Sequence, residues 1–79
     1  MTKREFVKKI ENGSDIMFDV GEYHYVIFTW MEEGIGIGEQ NKDTPIMHFE
    51  TAEELVEQYT IDGIPLAELC GKIVITSYT

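Results

Sequence analysis

The residues in this chain that invite a chemical reading are few, and the first are Gly34, Gly36 and Gly38 in the run YHYVIFTWMEEGIGIGEQ, residues 23–40. Glycines at close spacing cradle phosphates when they bridge a strand and a helix whose amino end then holds the pyrophosphate. Here the pattern is G-x-G-x-G rather than G-x-G-x-x-G, and it leads into Glu39-Gln40 and a polar loop instead of a helix. Glycine alternating with isoleucine inside a strand means a bare face, across which a neighbour such as Trp30 can lie. The triplet is therefore read as structural spacing.

The histidines are His24 and His48, and no H-x-x-x-H, C-x-x-C or H-E-x-x-H spacing accompanies them, so no metal site is expected. Cys70 is the single cysteine; with Lys72 as the one cation close to it in sequence, it reads as a small apolar filler near a helix end rather than a reactive thiol. A lone cysteine makes no internal disulfide, which suits a reducing cytoplasm. Ser14 and Ser77 flank elements, where turn and capping roles suffice. None of the fifteen acidic residues stands in an apolar setting that would raise its pKa to a working value. Catalytic residues, cofactors and metals are thus all expected to be none, and the reading is non-enzymatic.

Charge is the most lopsided property: six basic residues against fifteen acidic ones, net −9. Lys3, Arg4, Lys8 and Lys9 against Glu5 and Glu11 give residues 1–12 a local +2, which leaves −11 on the remainder. Direct nucleic-acid binding is disfavoured, because phosphate neutralisation normally drives it. An acidic body instead steers toward basic partners or mimics a phosphate backbone. No apolar run approaches the roughly 18 residues of a membrane span, and no apolar segment follows Lys3 and Arg4, so a soluble cytoplasmic protein with no membrane contact is expected.

Seventy-nine residues at 43% hydrophobic composition make one domain, 1–79, too apolar for disorder and close to the smallest size that folds without disulfides or metal. Its elements follow from period and punctuation. Thr2 with Glu5 forms a capping box for a helix over about residues 3–12, carrying Phe6, Val7 and Ile10 at helical spacing up to Asn12-Gly13. Asp15 to Val20 alternates Ile16, Phe18 and Val20 against Asp15, Met17 and Asp19, the period of a half-buried strand. Gly21-Glu22 is then a two-residue type II′ hairpin loop, pairing Val20 with Tyr23, Phe18 with Tyr25 and Ile16 with Ile27. His24 falls opposite Asp19 in that register.

The next turn can close in two ways. A two-residue Glu33-Gly34 loop sends Ile35 and Ile37 to the face of Phe28 and Trp30, whereas a three-residue Glu32-Glu33-Gly34 loop sends them to the face of Tyr25, Ile27 and Met31. The second gathers the aliphatic side chains and is preferred. After the Asp43-Thr44-Pro45 turn come a short strand over Ile46 to Glu50 and a helix whose stripe is Ala52, Leu55, Val56 and Tyr59, capped by a Thr51–Glu54 box. Asp62-Gly63 turns, Pro65 opens a short helical segment ended by Gly71, and Lys72 to Ser77 supplies a last strand. The order α-β-β-β-β-α-short α-β predicts an α+β fold: a mainly antiparallel sheet of about five strands packed with two helices.

In this arrangement the second face of the first hairpin carries Met17, Val26, Phe28 and Trp30, bordered by Asp15, Asp19 and His24. The simpler expectation places one helix on each face or covers the strip with loops. The alternative places both helices on the aliphatic face and leaves the strip for another subunit or a protein partner.

The segments YHYVIFTWMEEGIGIGEQ and FETAEELVEQYTIDGIPLAEL carry a resemblance to small acidic uncharacterised proteins of bacterial genomes and mobile elements. The likeness spans about residues 15–75: an aromatic strand, an acid-Gly turn, a strand ending Gly-Glu, and a helix leading to Ile-Asp-Gly-x-Pro-Leu. It implies an accessory or regulatory role without supplying an activity or site residues. The expected function is a small protein-interaction module, acting on a protein partner or by self-association as a homodimer. The alternative is an acidic inhibitor or nucleic-acid mimic that occupies a basic site; a small ligand-binding domain or enzyme ranks below both.

Overall fold

The computed structural model describes residues 1–13, 15–29 and 32–78. Helix α1 (Lys3–Asn12) begins at the expected capping box: the Thr2 hydroxyl accepts from the Glu5 amide at 3.2 Å, and the Glu5 carboxylate accepts from the Thr2 amide at 2.9 Å. These bonds satisfy amide donors that the first turn leaves without helical partners. They also favour the ionised form of Glu5, holding its pKa below the ordinary value.

Strands β1 (Asp15–Val20) and β2 (Tyr23–Phe28) pair in the expected register. Gly21 at φ +61° is the one positive-φ residue of their two-residue turn, as type II′ requires. β3 (Ile35–Glu39) and β4 (Met47–Phe49) follow, then α2 (Ala52–Gln58). The two-residue strands β5 (Thr60–Ile61) and β6 (Ile64–Pro65) make a separate hairpin across Asp62-Gly63, whose φ values of +53° and +81° fit a type I′ turn. A short helix α3 (Leu66–Leu69), a 3₁₀ turn over Cys70–Lys72 and β7 (Ile73–Tyr78) complete the described chain. The sheet order is β4-β3-β2-β1-β7, antiparallel throughout. The fold is α+β, built on a five-stranded antiparallel sheet.

Alternation along the strands gives the sheet two faces, and the core sits on one of them. Ile16, Phe18 and Val20 of β1, Tyr25 and Ile27 of β2, Ile37, Phe49 and Ile73 share a buried cluster with Phe6 and Ile10 of α1 and Ala52, Leu55 and Val56 of α2. Both long helices therefore lie on the aliphatic face, and α1 runs beside α2, where Lys3 reaches Glu57 at 2.7 Å and Glu53 at 3.5 Å. This corrects the simpler expectation of one helix per face. The connections explain it: the stripes of α1 and α2 need the same aliphatic surface, and Tyr78 hydroxyl donates to Lys9 carbonyl at 3.1 Å, tying the end of α1 to β7.

Three local expectations also shift. The favoured face for Ile37 is right, but the β2–β3 register pairs Ile27 with Ile37 and Phe28 with Gly36, two residues from the register that a Glu32-Glu33-Gly34 loop would set. Thr51 caps α2 by accepting from the Glu54 amide at 3.0 Å, whereas the Glu54 carboxylate accepts from Glu50 rather than from Thr51. Gly71 lies inside the 3₁₀ turn instead of ending the helix before it.

Four rings knit the elements together. Phe6 meets Phe18 edge-on with centroids 5.4 Å apart, Phe18 stacks on Tyr25 at 5.6 Å, and Tyr25 meets Tyr59 edge-on at 6.0 Å. Burial pushes the Tyr25 pKa up to about 12, with Tyr59 and Glu39 adding to the effect. The folded state thus holds the neutral phenol more strongly than the unfolded chain, whose tyrosine titrates near 10.0. The resulting stability is complete below that value and is lost as pH rises through about 12. Urea midpoints measured between those two pH values should fall in the parent protein and fall distinctly less in Tyr25→Phe, which keeps the ring and lacks the titrating hydroxyl.

Candidate interaction surface

The opposite face of the sheet collects the residues singled out from sequence. The pairings set Met17 beside Val26 and Asp15 beside Phe28. Val26 then abuts Gly38, and Phe28 abuts Gly36. Asp19 stands between His24 on β2 and Val74 on β7. Met17 is 40% exposed, Val26 and Phe28 are half-buried, Asp15 and Asp19 are half-buried, and His24 is exposed. Trp30 lies outside the described residues, as do Met31 and Ser14.

His24 and Asp19 form the expected cross-strand pair, with Nδ1 2.7 Å from the Asp19 carboxylate. His48 sits two strands away on β4, opposite Gly36, so the two histidines do not converge. Among the described residues, no three His, Cys, Asp or Glu side chains gather into a metal-binding group. Cys70 is buried, its thiol donates to the Leu66 carbonyl at 3.4 Å, and burial pushes its pKa up. Its thiolate is thereby disfavoured, which is the opposite of what a nucleophile needs.

The glycine triplet takes its place here. Gly36 and Gly38 are buried within β3, flanking Ile37, and the strand leads into a turn at Gln40 whose amide donates to the His24 carbonyl at 2.8 Å. A Cβ at Gly38 would lie 3.4 Å from Ile46 Cγ1, so a loop side chain rests against this part of the face. The triplet leads along β3 into a turn rather than directly into a helix, so it lacks the strand-to-helix arrangement of a phosphate loop.

Sequence reasoning missed Val74, which at 61% is the most exposed large apolar side chain described. Its signal was present: Val74 alternates with Ile73 and Ile75, and parity alone turns it away from the core. What sequence did not carry was that β7 pairs with β1, which brings Val74 beside Asp19 and extends the strip by one strand. No helix among the described residues is long and apolar enough to cross a membrane. Neither protein-family models, nor curated proteins, nor solved structures yield a match to this chain.

Proposed function

We propose that this chain is a small non-enzymatic protein-interaction module that works through the sheet face opposite its helices. The observation that supports this reading is the strip formed by Val74, Met17, Val26 and Phe28, lying on the side to which neither α1 nor α2 packs. Apolar surface of this kind gains roughly 25 cal/mol for each Å² removed from water, and a partner is what removes it. Asp15 and Asp19 on the same face, with the net charge of −9, favour a basic protein partner over a second copy, because like-charged faces repel. The acidic-mimic alternative needs carboxylates aligned on one surface. They fall on α1, β1, β3, α2, α3 and the turns rather than on one element. The resemblance to small acidic proteins of mobile elements supports an accessory role, and the buried free thiol of Cys70 suits a reducing, cytoplasmic setting.

Lysine at Met17 and Val74 provides the test. Both positions are exposed, so Met17→Lys/Val74→Lys should shift stability by no more than about 1 kcal/mol in urea melts. Partners retained by the parent protein on a column should be lost from the double variant, as should any dimer seen by light scattering. If the variant keeps every partner and the same oligomeric state, the face is not the interaction surface.

A further inference from the structure

A second surface lies at the end of the sheet, where β1 turns into β2 beside the β5–β6 hairpin. A groove of about 540 Å³ opens there. Its floor is Val20, Ile61 and Leu69, each 7% exposed, and its walls are Tyr23 and Ile64 at 36% and 44%. Two tight turns build it. The II′ turn projects Glu22, and the I′ turn at Asp62-Gly63 projects Asp62 and holds Ile64 in solvent, its base fixed by the Leu66 amide donating to the Tyr59 carbonyl at 3.0 Å. Short hairpins with both turn residues set are rigid, so Ile64 is held out by backbone geometry.

The rim is negative. Glu22 and Asp62 line it with Lys72 as the one cation among the described residues there, and Asp62, Glu22 and Glu39 all act on Tyr23, where their combined field pushes the phenol pKa up. An apolar floor under a carboxylate rim differs from an exposed acidic patch: it offers one contact that excludes water and two that fix sign. The groove is also separate from the sheet face discussed above. Tyr23 pairs with Val20 on the helix-bearing side, whereas Met17 and Val26 point the other way, so both surfaces can be occupied together.

We propose that this groove binds a cationic segment of a partner protein, seating one aliphatic side chain over Val20, Ile61 and Leu69, with flanking Arg or Lys residues answering Glu22 and Asp62. Charge complementarity selects the occupant: the two carboxylates of Glu22 and Asp62 outnumber the one ammonium of Lys72 among the described residues that line the groove, on a chain of net charge −9. The basic segment of a second copy, α1, is a poorer fit, since its Lys3 is engaged by Glu57 and Glu53 and its Lys9 stands 5.1 Å over the Tyr78 ring.

Amide-resolved NMR titration of the full chain with the end-capped tripeptide Arg-Leu-Arg tests this. Saturable shifts are expected at Gly21, Glu22, Tyr23, Asp62, Gly63 and Ile64. Arg-Gly-Arg, lacking the aliphatic anchor, should bind about tenfold more weakly, and Glu-Leu-Glu should give no shifts. Asp62→Asn should weaken Arg-Leu-Arg about threefold with the remaining spectrum unchanged, because asparagine tolerates the left-handed backbone that Asp62 adopts. Ile64→Ser should weaken it as well. Equal affinity for Arg-Gly-Arg, shifts centred on Val26 and Val74, or absence of saturable shifts would each overturn the proposal. So would a dimer that is lost in Arg4→Glu/Lys8→Glu, which would make α1 of a second copy the occupant.

Discussion

Phe18→Ala should bring this protein to the edge of unfolding. Phe18 is fully buried at the centre of the sheet and touches a ring on either side, Phe6 from α1 and Tyr25 from β2. Truncating a buried phenylalanine costs about 3–5 kcal/mol, from lost transfer energy and the cavity left behind. A domain of this length has roughly 4–12 kcal/mol of stability in all. The cavity would be slow to collapse, because its walls are a helix and two paired strands whose register is fixed from both sides. A urea midpoint lower by about 3–5 M follows, from an m-value near 1 kcal/mol/M. Phe18→Leu, which refills most of the volume but breaks both ring pairs, should lose distinctly less. If the alanine and leucine variants melt together, the rings rather than the volume are what Phe18 contributes.

Gly34→Ala is the second substitution with a large expected effect, and part of its cause lies far along the chain. Gly34 adopts φ +118°, a region open to glycine and closed to residues with a Cβ. A Cβ there would stand 2.6 Å from the carbonyl oxygen of Phe49 and 3.3 Å from its carbonyl carbon, and backbone on a paired strand cannot move aside as a flexible side chain does. Torsional strain and the clash act together, and the expected loss is about 2–4 kcal/mol. Gly21→Ala is the informative comparison: it also has positive φ, but a Cβ at Gly21 meets nothing within 4 Å. It should cost about 1 kcal/mol, the conformational penalty alone. Equal losses at the two positions would show that the approach of Phe49 to Gly34 carries no weight.

Gly34 also marks where reading the sequence stops. Its neighbours Glu32 and Glu33 announce a turn, and the preference of Ile37 for the aliphatic face is legible from alternation. Local turn rules nevertheless put the β2–β3 register two residues away from where it lies, because the connection is set by contact with Phe49, far along the chain. The β5–β6 hairpin was passed over for another reason: strands of two residues are too short to show a period, although Asp62-Gly63 between Ile61 and Ile64 was its signal. The groove beside it was correspondingly invisible, since Tyr23 and Ile64 are adjacent only after folding.

In several places where the deciding interaction spans a few residues, the sequence by itself determined the outcome. The Thr2 and Thr51 caps, the II′ turn at Gly21 and the register it imposes on Ile16, Phe18 and Val20, and the opposition of His24 to Asp19 are of this kind. Their free energies depend on neighbours already fixed by covalent connection. Tertiary structure alone decided that α1 and α2 share one face of the sheet, that β7 lies beside β1, and that Val74 joins Met17 on the other side. Each of these is a competition among distant apolar surfaces for the same area of sheet. Composition and period specify how much surface must be buried, but only packing selects which pieces bury one another and which face is left to a partner.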